Sequence, residues 1–365
     1  MNLSTLNAGL IFKSLFISFL FSILTSIAAT HFAIRTNLMD RPNSEPHKLH
    51  KRPVPISGGT ALFSALLILL LIFRKSVSPQ LWGLTGSAFV IYLFAVRDDY
   101  KPLSWKAKLA GQFLGTAILI FTGTRTHLFD APIFSLHMPE TFCRICDIGL
   151  TLFWVVFITN AYNLVDSADG LMIGLSAWAE GFFIIAAMDS GQYDMALYCS
   201  ILLGSSLALS FFNSYPAFLF MGDSGAQTIG FLLAACAIIY TPAELLQKNT
   251  WFLPILLLGV PIFDTTLVTI SRWRRGEHFY HSGTDHTFHR LLKMGLSSHQ
   301  AAAFMHLVCF ALQSLAFFAI SQSAIEANLI FAVVVITGIG AVIFFEREDL
   351  WEKVKQLIQI NGHLS

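Results

Sequence analysis

The chain has 365 residues, of which 55% are hydrophobic and only 12% are charged, and its formal net charge is +1. An ordinary soluble domain carries about a quarter charged residues, so this composition excludes a single water-soluble core. The small net charge says little, because the location of Lys and Arg matters more than their sum in a membrane protein.

Apolar runs long enough to cross about 30 Å of hydrocarbon recur along the whole chain and predict transmembrane helices. We predict an all-α, polytopic integral membrane helical bundle of about 11 transmembrane helices, with about 10 as the alternative because several runs are short. The predicted spans are 9–32, 57–73, 81–96, 107–122, 148–162, 171–188, 195–212, 225–240, 251–270, 301–320 and 328–345. The first run is longer than a secretory signal and lacks a preceding positive cluster, which favours a retained helix over a cleaved signal peptide.

The connections between these spans differ strongly in charge. If the spans alternate in direction, 17 of the 23 Lys and Arg residues fall on one side of the membrane. By the positive-inside rule that side is cytoplasmic, so the N-terminus is predicted outside and the C-terminus in the cytoplasm. The tail from Leu350, LWEKVKQLIQI, has the pattern of an amphipathic helix lying at the membrane interface.

The first predicted cytoplasmic segment, DRPNSEPHKLHKRPVPISGG, runs from Asp40 to Gly59 and carries a compact basic cluster. Such a cluster either holds a phosphate or anchors the chain beside anionic lipid, and this segment alone favours the anchor. The cluster consists of His47, Lys48, His50, Lys51 and Arg52.

The second segment, VRDDYKPLSWK, places the adjacent carboxylates Asp98 and Asp99 at the end of an apolar span. A charged Asp at the centre of a membrane helix costs about 2.5 to 3.5 kcal/mol on insertion scales, and less near the interface. Two adjacent acids therefore need a compensating partner, either a divalent cation or a base such as Arg97 or Lys101.

The third segment, NAYNLVDSADGL, repeats a polar residue at every third position, at Asn160, Asn163, Asp166 and Asp169. On a helix this spacing drifts slowly around the axis, so it predicts one polar stripe facing a cavity. Capping of two helix ends explains one or two of these positions but not all four.

The fourth segment, PAFLFMGDSGAQ, presents Asp223 between Gly222 and Gly225. Flanking glycines allow backbone and carboxylate to approach a metal or a phosphate together. Phe220 is near enough in sequence to stack on a ring, although an aromatic residue at a membrane interface is ordinary.

The fifth segment, SRWRRGEHFYHSGTDHTFHRLLKMGLS, is rich in guanidinium and imidazole groups. These donors suit a diphosphate better than a tightly bound zinc, which needs closed tetrahedral ligation. Asp264, just before this segment, is an intramembrane acid that either functions directly or orients the neighbouring loop. The donors are Arg272, Arg274, Arg275, His281, His286, His289 and Arg290.

Together the five segments supply carboxylates for a cation, basic groups for phosphates and a stacking ring, which indicates phosphoryl transfer. The sequence has no P-loop or GxGxxG pattern, so a nucleotide would be held outside those frameworks. A transporter would carry charges near the middle of several spans, where this chain has few apart from Lys13 and Glu180. An inactive scaffold would be expected to lose one of the carboxylates, and none is missing.

In this order, KLHKRPVPISGG, DDYKPLS, NAYNLVDSADGL, FMGDSG and DHTFHRLL resemble the polyprenyl-phosphate N-acetylhexosamine-1-phosphate transferases, or glycosyltransferase family 4. The resemblance covers nearly the whole chain. It implies transfer of a sugar 1-phosphate from a UDP-N-acetylhexosamine to undecaprenyl phosphate or a similar lipid, with release of UMP and a Mg²⁺ or Mn²⁺ cofactor.

The resemblance also implies a role for each matching residue. Asp98 and Asp99 look like the catalytic pair that engages the lipid phosphate, and Asp223 with Asp99 looks like the metal-binding set. The residues that match substrate-binding positions are Lys51, Asn163, Asp166, Asp169, Phe220, His286, His289 and Arg290.

We predict one transmembrane catalytic domain over residues 1–349, with 350–365 as the interfacial tail. The resemblance implies a bacterial inner membrane protein whose active site faces the cytoplasm and whose product begins a cell-envelope polysaccharide. Membrane lipids are expected partners, nucleic acid is not, and a homodimer is left open.

The chain departs from the family pattern at Ser167, where a glycine is usual, and at Thr287 and Phe288 in the histidine segment. The family's phospho-MurNAc-pentapeptide transferases typically carry three consecutive histidines there. Their absence favours the branch that uses UDP-GlcNAc, with the MurNAc-pentapeptide activity as the alternative.

Overall fold

The computed structural model describes residues 3–42, 52–131, 135–240, 252–278, 283–347 and 349–351. The regular secondary structure of these residues is α-helical apart from a short 3-10 turn and the antiparallel pair β1 (Met39–Asp40) and β2 (Val54–Pro55). The chain divides into two compact units, Met1–Ala243 and Glu244–Ser365. The helices are α1 (Leu3–Arg35), α2 (Gly58–Ile72), α3 (Pro79–Tyr100), α4 (Trp105–Phe121), α5 (Glu140–Val165), α6 (Leu171–Asp189), α7 (Tyr193–Asn213), α8 (Gly222–Ile239), α9 (Leu253–Leu257), α10 (Gly259–Arg275), α11 (Thr287–Lys293), α12 (Ser298–Ile320) and α13 (Ala324–Phe345).

Eight of the described helices, α1, α3, α5 to α8, α12 and α13, are long and apolar enough to cross a membrane. Large apolar side chains cover their outer faces; Phe12 is 72% exposed and Ile336 is 69% exposed. A continuous apolar surface of this kind is costly in water and suited to hydrocarbon. The predicted class, an all-α polytopic membrane protein, is therefore confirmed, while the number of crossings stays a prediction.

The predicted ninth span, 251–270, is wrong as a single helix. α9 ends at Leu257 and α10 begins at Gly259. Pro261 lacks the N–H that would bond to the Leu257 carbonyl four residues earlier, so the backbone is interrupted. Gln313 on α12 satisfies that carbonyl through a 2.9 Å hydrogen bond from its Nε2, as a membrane-embedded break requires.

Small polar residues join α1 to α7 in the first unit. Ser14 Oγ lies 2.5 Å from Ser200 Oγ. Further along both helices, Ser22 Oγ donates to Ser205 Oγ at 2.9 Å. A side chain at Gly204 would collide with the α1 backbone, so these residues allow the two helices to approach closely.

α8 forms the core of the first unit. It is the most buried of the eight candidate spans, because 83% of its 18 residues are buried inside the structure. It packs against α2, α3 and α5. Just before it, Phe220 pairs through its backbone with the end of the first predicted cytoplasmic segment: its N–H donates to Pro55 at 2.9 Å and its carbonyl accepts from Gly58 at 3.0 Å. These contacts bring two of the sequence motifs together.

The second unit consists of α9 to α13 and the start of the C-terminal tail. α12 packs against α9, α10, α11 and α13. Trp351 Nε1 donates to the Phe344 carbonyl at 3.1 Å. The rest of the predicted interfacial tail, 352–365, lies outside the described residues.

Candidate active site

Carboxylates from two motifs meet at a single lysine in the first unit. Asp98 lies in the last turn of α3, and Asp223 lies in the first turn of α8. Lys108 Nζ, near the start of α4, is 2.5 Å from Asp98 Oδ2 and 2.7 Å from Asp223 Oδ2. We call these three residues the acidic centre. Asp98 is only 8% exposed, and its Oδ1 accepts a further hydrogen bond from the Leu103 N–H at 2.6 Å.

Asp99 occupies a different position from its neighbour. Its carboxylate accepts hydrogen bonds from the backbone N–H groups of Asp223 at 2.8 Å and Ser224 at 3.2 Å. The first N–H groups of a helix have no partner within the helix, and a carboxylate there is stabilised by the helix dipole. Asp99 therefore fixes the backbone that carries Asp223. The metal-binding and catalytic roles expected for Asp99 stay predictions.

A chain of amide side chains extends from the acidic centre into the bundle. Gln227 Nε2 donates to Asp223 Oδ2 at 3.1 Å, and Gln112 Nε2 donates to Gln227 Oε1 at 3.1 Å. Asn160 Nδ2 donates in turn to Gln112 Oε1 at 2.8 Å. This series of hydrogen bonds links α8, α4 and α5. Sequence reasoning missed Lys108 and Gln112, although their spacing of four on one helix face was the available signal.

The predicted helical stripe continues only to Asn163, and its extension through the last two acids is wrong. α5 ends at Val165, and Asp166 is the C-cap residue. Asp169 lies in the turn before Gly170, whose φ of 74° is left-handed. Asp and Gly favour such turns over a helix interior, which is why the helix stops here.

Asp166 nevertheless lies among the other acids. Burial, together with the charges of Asp223, Asp169 and Asp99, raises the pKa of Asp166 to about 7. Neighbouring carboxylates disfavour each other's ionisation, whereas a bound cation favours it. This region of the first unit is therefore suited to a positively charged ligand.

Asp169 holds the loop that carries Phe220. Its Oδ2 accepts a hydrogen bond from the Ala217 N–H at 3.1 Å, and Asn213 Nδ2 donates to the Leu219 carbonyl at 3.0 Å. These two hydrogen bonds hold the loop at Ala217 and at Leu219. The ring of Phe220 is partly exposed, as a stacking role requires; that role and the substrate contacts of Asp169 stay predictions.

The basic cluster of the first segment lies mostly outside the described residues, and Lys51 is among those left out. The neighbouring Arg52 is described: its guanidinium lies 5.1 Å from the centre of the Phe218 ring, and its Nη2 is 3.4 Å from the Ala217 carbonyl. The described end of the segment therefore contacts the loop before α8.

The histidine segment belongs to the second unit. His286 Nδ1 lies 2.9 Å from Asp264 Oδ2, and the Thr287 N–H donates to Asp264 Oδ1 at 2.6 Å. Asp264, which is fully buried, thus orients this loop, one of the two roles left open by the sequence. The ring of His289 lies 5.9 Å from that of His286, centre to centre.

Arg290 is engaged within the second unit. Its guanidinium donates to the carbonyls of Asp285 at 2.8 Å and Phe345 at 2.6 Å, and it also contacts Glu346 at 3.0 Å and Ser271. It is 4% exposed. These contacts tie α11 to the end of α13, and the predicted substrate contact of Arg290 stays a prediction.

The acidic centre fits a divalent cation bound together with substrate. Among the described residues, no group of three or more His, Cys, Asp or Glu side chains forms a complete protein cage. Mg²⁺ instead usually takes one or two carboxylates and completes its shell with water and substrate phosphates. Asp98 and Asp223 already converge on one positive charge, the Lys108 ammonium, so this pair suits such a site.

The sequence of this region is similar to sequences of known proteins. Residues 81–241, which contain the acidic centre, match the model of Glycosyl transferase family 4. A relative from Bacillus subtilis (strain 168), named a probable undecaprenyl-phosphate N-acetylglucosaminyl 1-phosphate transferase, is 31% identical over 80% of this chain and 82% of its own length.

Two further relatives carry related names. An undecaprenyl-phosphate alpha-N-acetylglucosaminyl 1-phosphate transferase from Yersinia pestis is 28% identical over 82% of this chain and 80% of its own length. A phospho-N-acetylmuramoyl-pentapeptide-transferase from Geobacillus kaustophilus (strain HTA426) is 30% identical over 70% and 80%. The family match and the 31% identity to the Bacillus relative over 80% of this chain show that the chain belongs to glycosyl transferase family 4.

Proposed function

We propose that this chain is a membrane enzyme that transfers N-acetylglucosamine 1-phosphate from UDP-N-acetylglucosamine to undecaprenyl phosphate. The observation that carries the proposal is the acidic centre, where Asp98 and Asp223 from separate motifs share Lys108. The names of the Bacillus and Yersinia relatives, each matched over about four fifths of its length, support the transferred N-acetylglucosamine 1-phosphate and the acceptor.

In the proposed reaction, an oxygen of the lipid phosphate attacks the phosphorus attached to the sugar. A new P–O bond forms, the bond from that phosphorus to the bridging oxygen breaks, and UMP leaves with the bonding electron pair. A phosphate monoester is already anionic near neutral pH, so the attack needs no obligatory base. The protein's main task is then to position two anionic reactants and offset their repulsion.

Asp98 and Asp223 would hold Mg²⁺ or Mn²⁺. When bound, such an ion supplies positive charge that offsets the charge of the diphosphate. Lys108 provides a second positive charge at the same place, and Asp99 keeps Asp223 in position through the backbone of α8. The residues proposed for the nucleotide side of the pocket are Lys51, Asn163, Asp166, Asp169 and Phe220.

We further propose that the site faces the cytoplasm of a bacterium and that the chain lies in the inner membrane. This orientation follows from the excess of Lys and Arg in the connections that contain the motifs. It would bring the acidic centre to the side where UDP-sugars are available.

The proposal is tested with the purified full-length protein, undecaprenyl phosphate and Mg²⁺, by measuring UMP release from a panel of UDP-sugars. We expect the highest kcat/KM with UDP-N-acetylglucosamine. A preference for UDP-MurNAc-pentapeptide would assign the alternative activity, and no UMP release from any donor would contradict the proposal.

Asp223→Asn should abolish UMP release, because it removes one of two charges that would hold the metal while keeping nearly the same shape. We expect a loss of at least about 100-fold in kcat, on the scale of removing a principal electrostatic group. Asp189→Asn is the matched control, since Asp189 is exposed at the end of α6 far from the Gly170 turn. Full activity in Asp223→Asn would remove the metal assignment.

A further inference from the structure

The geometry points to Asp264 as a positioning residue that fixes the ring of His286, so that Nε2 of this histidine is presented to an anionic phosphate oxygen. The inference rests on the proposed function, because a phosphate ligand is expected only if the chain transfers a sugar phosphate. It assigns Asp264 no contact with substrate. The claim concerns the second unit alone.

The two carboxylate oxygens of Asp264 have separate partners. Oδ1 accepts the Thr287 N–H at 2.6 Å, and Oδ2 lies 2.9 Å from His286 Nδ1. Asp264 is fully buried, and His286 is 6% exposed. An unpaired carboxylate in such a place would be strongly unfavourable, so both contacts contribute to keeping it there.

The carboxylate determines which ring nitrogen of His286 carries a proton. An ionised carboxylate can only accept hydrogen bonds, so the facing Nδ1 must be the donor. In the neutral ring, Nε2 is then an acceptor. In the protonated ring, Nε2 is a positively charged donor. Among the described residues, no hydrogen bond to Nε2 is seen, which leaves this nitrogen for a ligand.

The second oxygen distinguishes positioning from simple capping. His286 is the N-cap residue of α11, with φ −66° and ψ 156°, and one acceptor oxygen is enough to satisfy the Thr287 N–H. A neutral amide or hydroxyl at position 264 would do this without burying a charge. The remaining oxygen is directed at the imidazole, the arrangement by which carboxylates orient functional histidines elsewhere.

The proton position can be measured without enzyme activity. In the full-length protein labelled with ¹⁵N-histidine, the His286 signals are assigned by their loss in His286→Gln. We expect Nδ1 to be protonated in the neutral ring of the wild type and the proton to move to Nε2 in Asp264→Asn, whose amide offers only one acceptor. A neutral wild-type ring protonated at Nε2 would overturn the inference, and this spectrum needs no Asp264 variant to fold.

A double-mutant cycle on UMP release then tests whether Asp264 acts through His286. Asp264→Asn and His286→Ala should each lower kcat/KM about 10- to 100-fold, on the scale of losing a supporting contact. The double variant should be no worse than His286→Ala. Losses that multiply, or a full-activity Asp264→Asn with a displaced proton, would overturn the inference.

Glu180→Gln is the matched control for burial, because Glu180 is a fully buried acid on α6 that accepts a hydrogen bond from Ser206 at 3.0 Å. It should leave both the His286 spectrum and kcat/KM unchanged. If the wild type releases no UMP from any donor, the proposed function fails, while the ¹⁵N spectrum still decides the position of the proton.

Discussion

Lys108 neutralises two carboxylates that would otherwise repel each other. Asp98 and Asp223 both point at its Nζ within hydrogen-bonding distance. Charges in a partly buried site interact more strongly than in water, so removing the ammonium leaves two poorly solvated acids together. The lysine therefore makes the metal-free protein stable as well as contributing charge to the site.

Lys108→Met should accordingly destabilise the protein in EDTA, by about 1–3 kcal/mol once partial solvent exposure is allowed for. Mg²⁺ should raise the melting temperature of this variant more than that of the wild type, because the ion takes over the neutralising charge. Lys106→Met, at an exposed lysine two positions earlier, is the control. A variant as stable as the wild type in EDTA would contradict this account.

Asp166 gives a pH-dependent prediction. Its pKa of about 7 in the folded protein lies above the ordinary value near 4 of an unfolded chain. The folded state therefore binds the proton more tightly, and this group lowers stability as the pH rises from about 4 to about 7.

Asp166→Asn, which resembles the protonated acid, should therefore melt at a higher temperature than the wild type at pH 8 in EDTA. The gain should be on the order of 1–4 kcal/mol, and it should nearly vanish at pH 4.5. The variant should also lose UMP release. An equal difference in melting temperature at both pH values would show that the proton on Asp166 is not its source.

At the scale of secondary-structure elements, the start of α8 depends on close backbone approach. Gly222 has a φ of 68°, and a Cβ there would lie 2.9 Å from both Asp99 carboxylate oxygens and 2.4 Å from Ile56. A side chain would thus disturb the contact that holds the backbone of Asp223. The glycine is needed for both conformation and space.

Gly222→Ala should lower stability by about 1–3 kcal/mol, from left-handed strain and the collision. It should also lower kcat by more than it changes the affinity for UDP, since it displaces Asp223. Gly338→Ala is the control, because Gly338 lies in α13 with open space around it. The activity and melting temperature of this variant should equal those of the wild type. A wild-type kcat in Gly222→Ala would contradict the expected displacement of Asp223.

Apolar runs were enough to predict where the helices lie, because a membrane helix needs both length and low polarity. The points at which these helices break or end were harder to predict. Pro261 was the local signal for the break at Leu258, but the hydrogen bond that satisfies the freed Leu257 carbonyl comes from Gln313, 56 residues later in the chain, and no local pattern shows that pairing. Likewise, the three-residue spacing up to Asp169 did not reveal that α5 stops at Val165, where turn-forming residues outweigh periodicity.

For the candidate site, sequence predicted the residues better than their arrangement. Asp98, Asp99 and Asp223 stood out because charges at the ends of apolar runs need a reason. Lys108 did not, since a lysine beside a span is ordinary under the positive-inside rule. The different tasks of Asp98 and Asp99 depend on which helix each side chain faces, and adjacent letters cannot distinguish them.

At the scale of the whole molecule, the distribution of Lys and Arg predicts the orientation in the membrane. We expect Lys101→Cys to react with an impermeant thiol reagent only after the membrane is opened, and Glu140→Cys to react from outside. Both are placed in a Cys146→Ser background, because Cys146 is a partly exposed free thiol. Labelling of both positions from the same side would rule out the proposed topology.

The serine contacts between α1 and α7 have a consequence for biosynthesis. α1 is made before α7, yet Ser14 and Ser22 can contact Ser200 and Ser205 only after α7 has been made, since the paired serines are 186 and 183 positions apart. Until then a hydroxyl can bond within its own helix, as Ser14 Oγ does to the Ile11 carbonyl at 2.8 Å. Because α1 also packs against α2, which follows it in the chain, the contact with α2 can form early, and the serine contacts complete the packing of α1 late in translation.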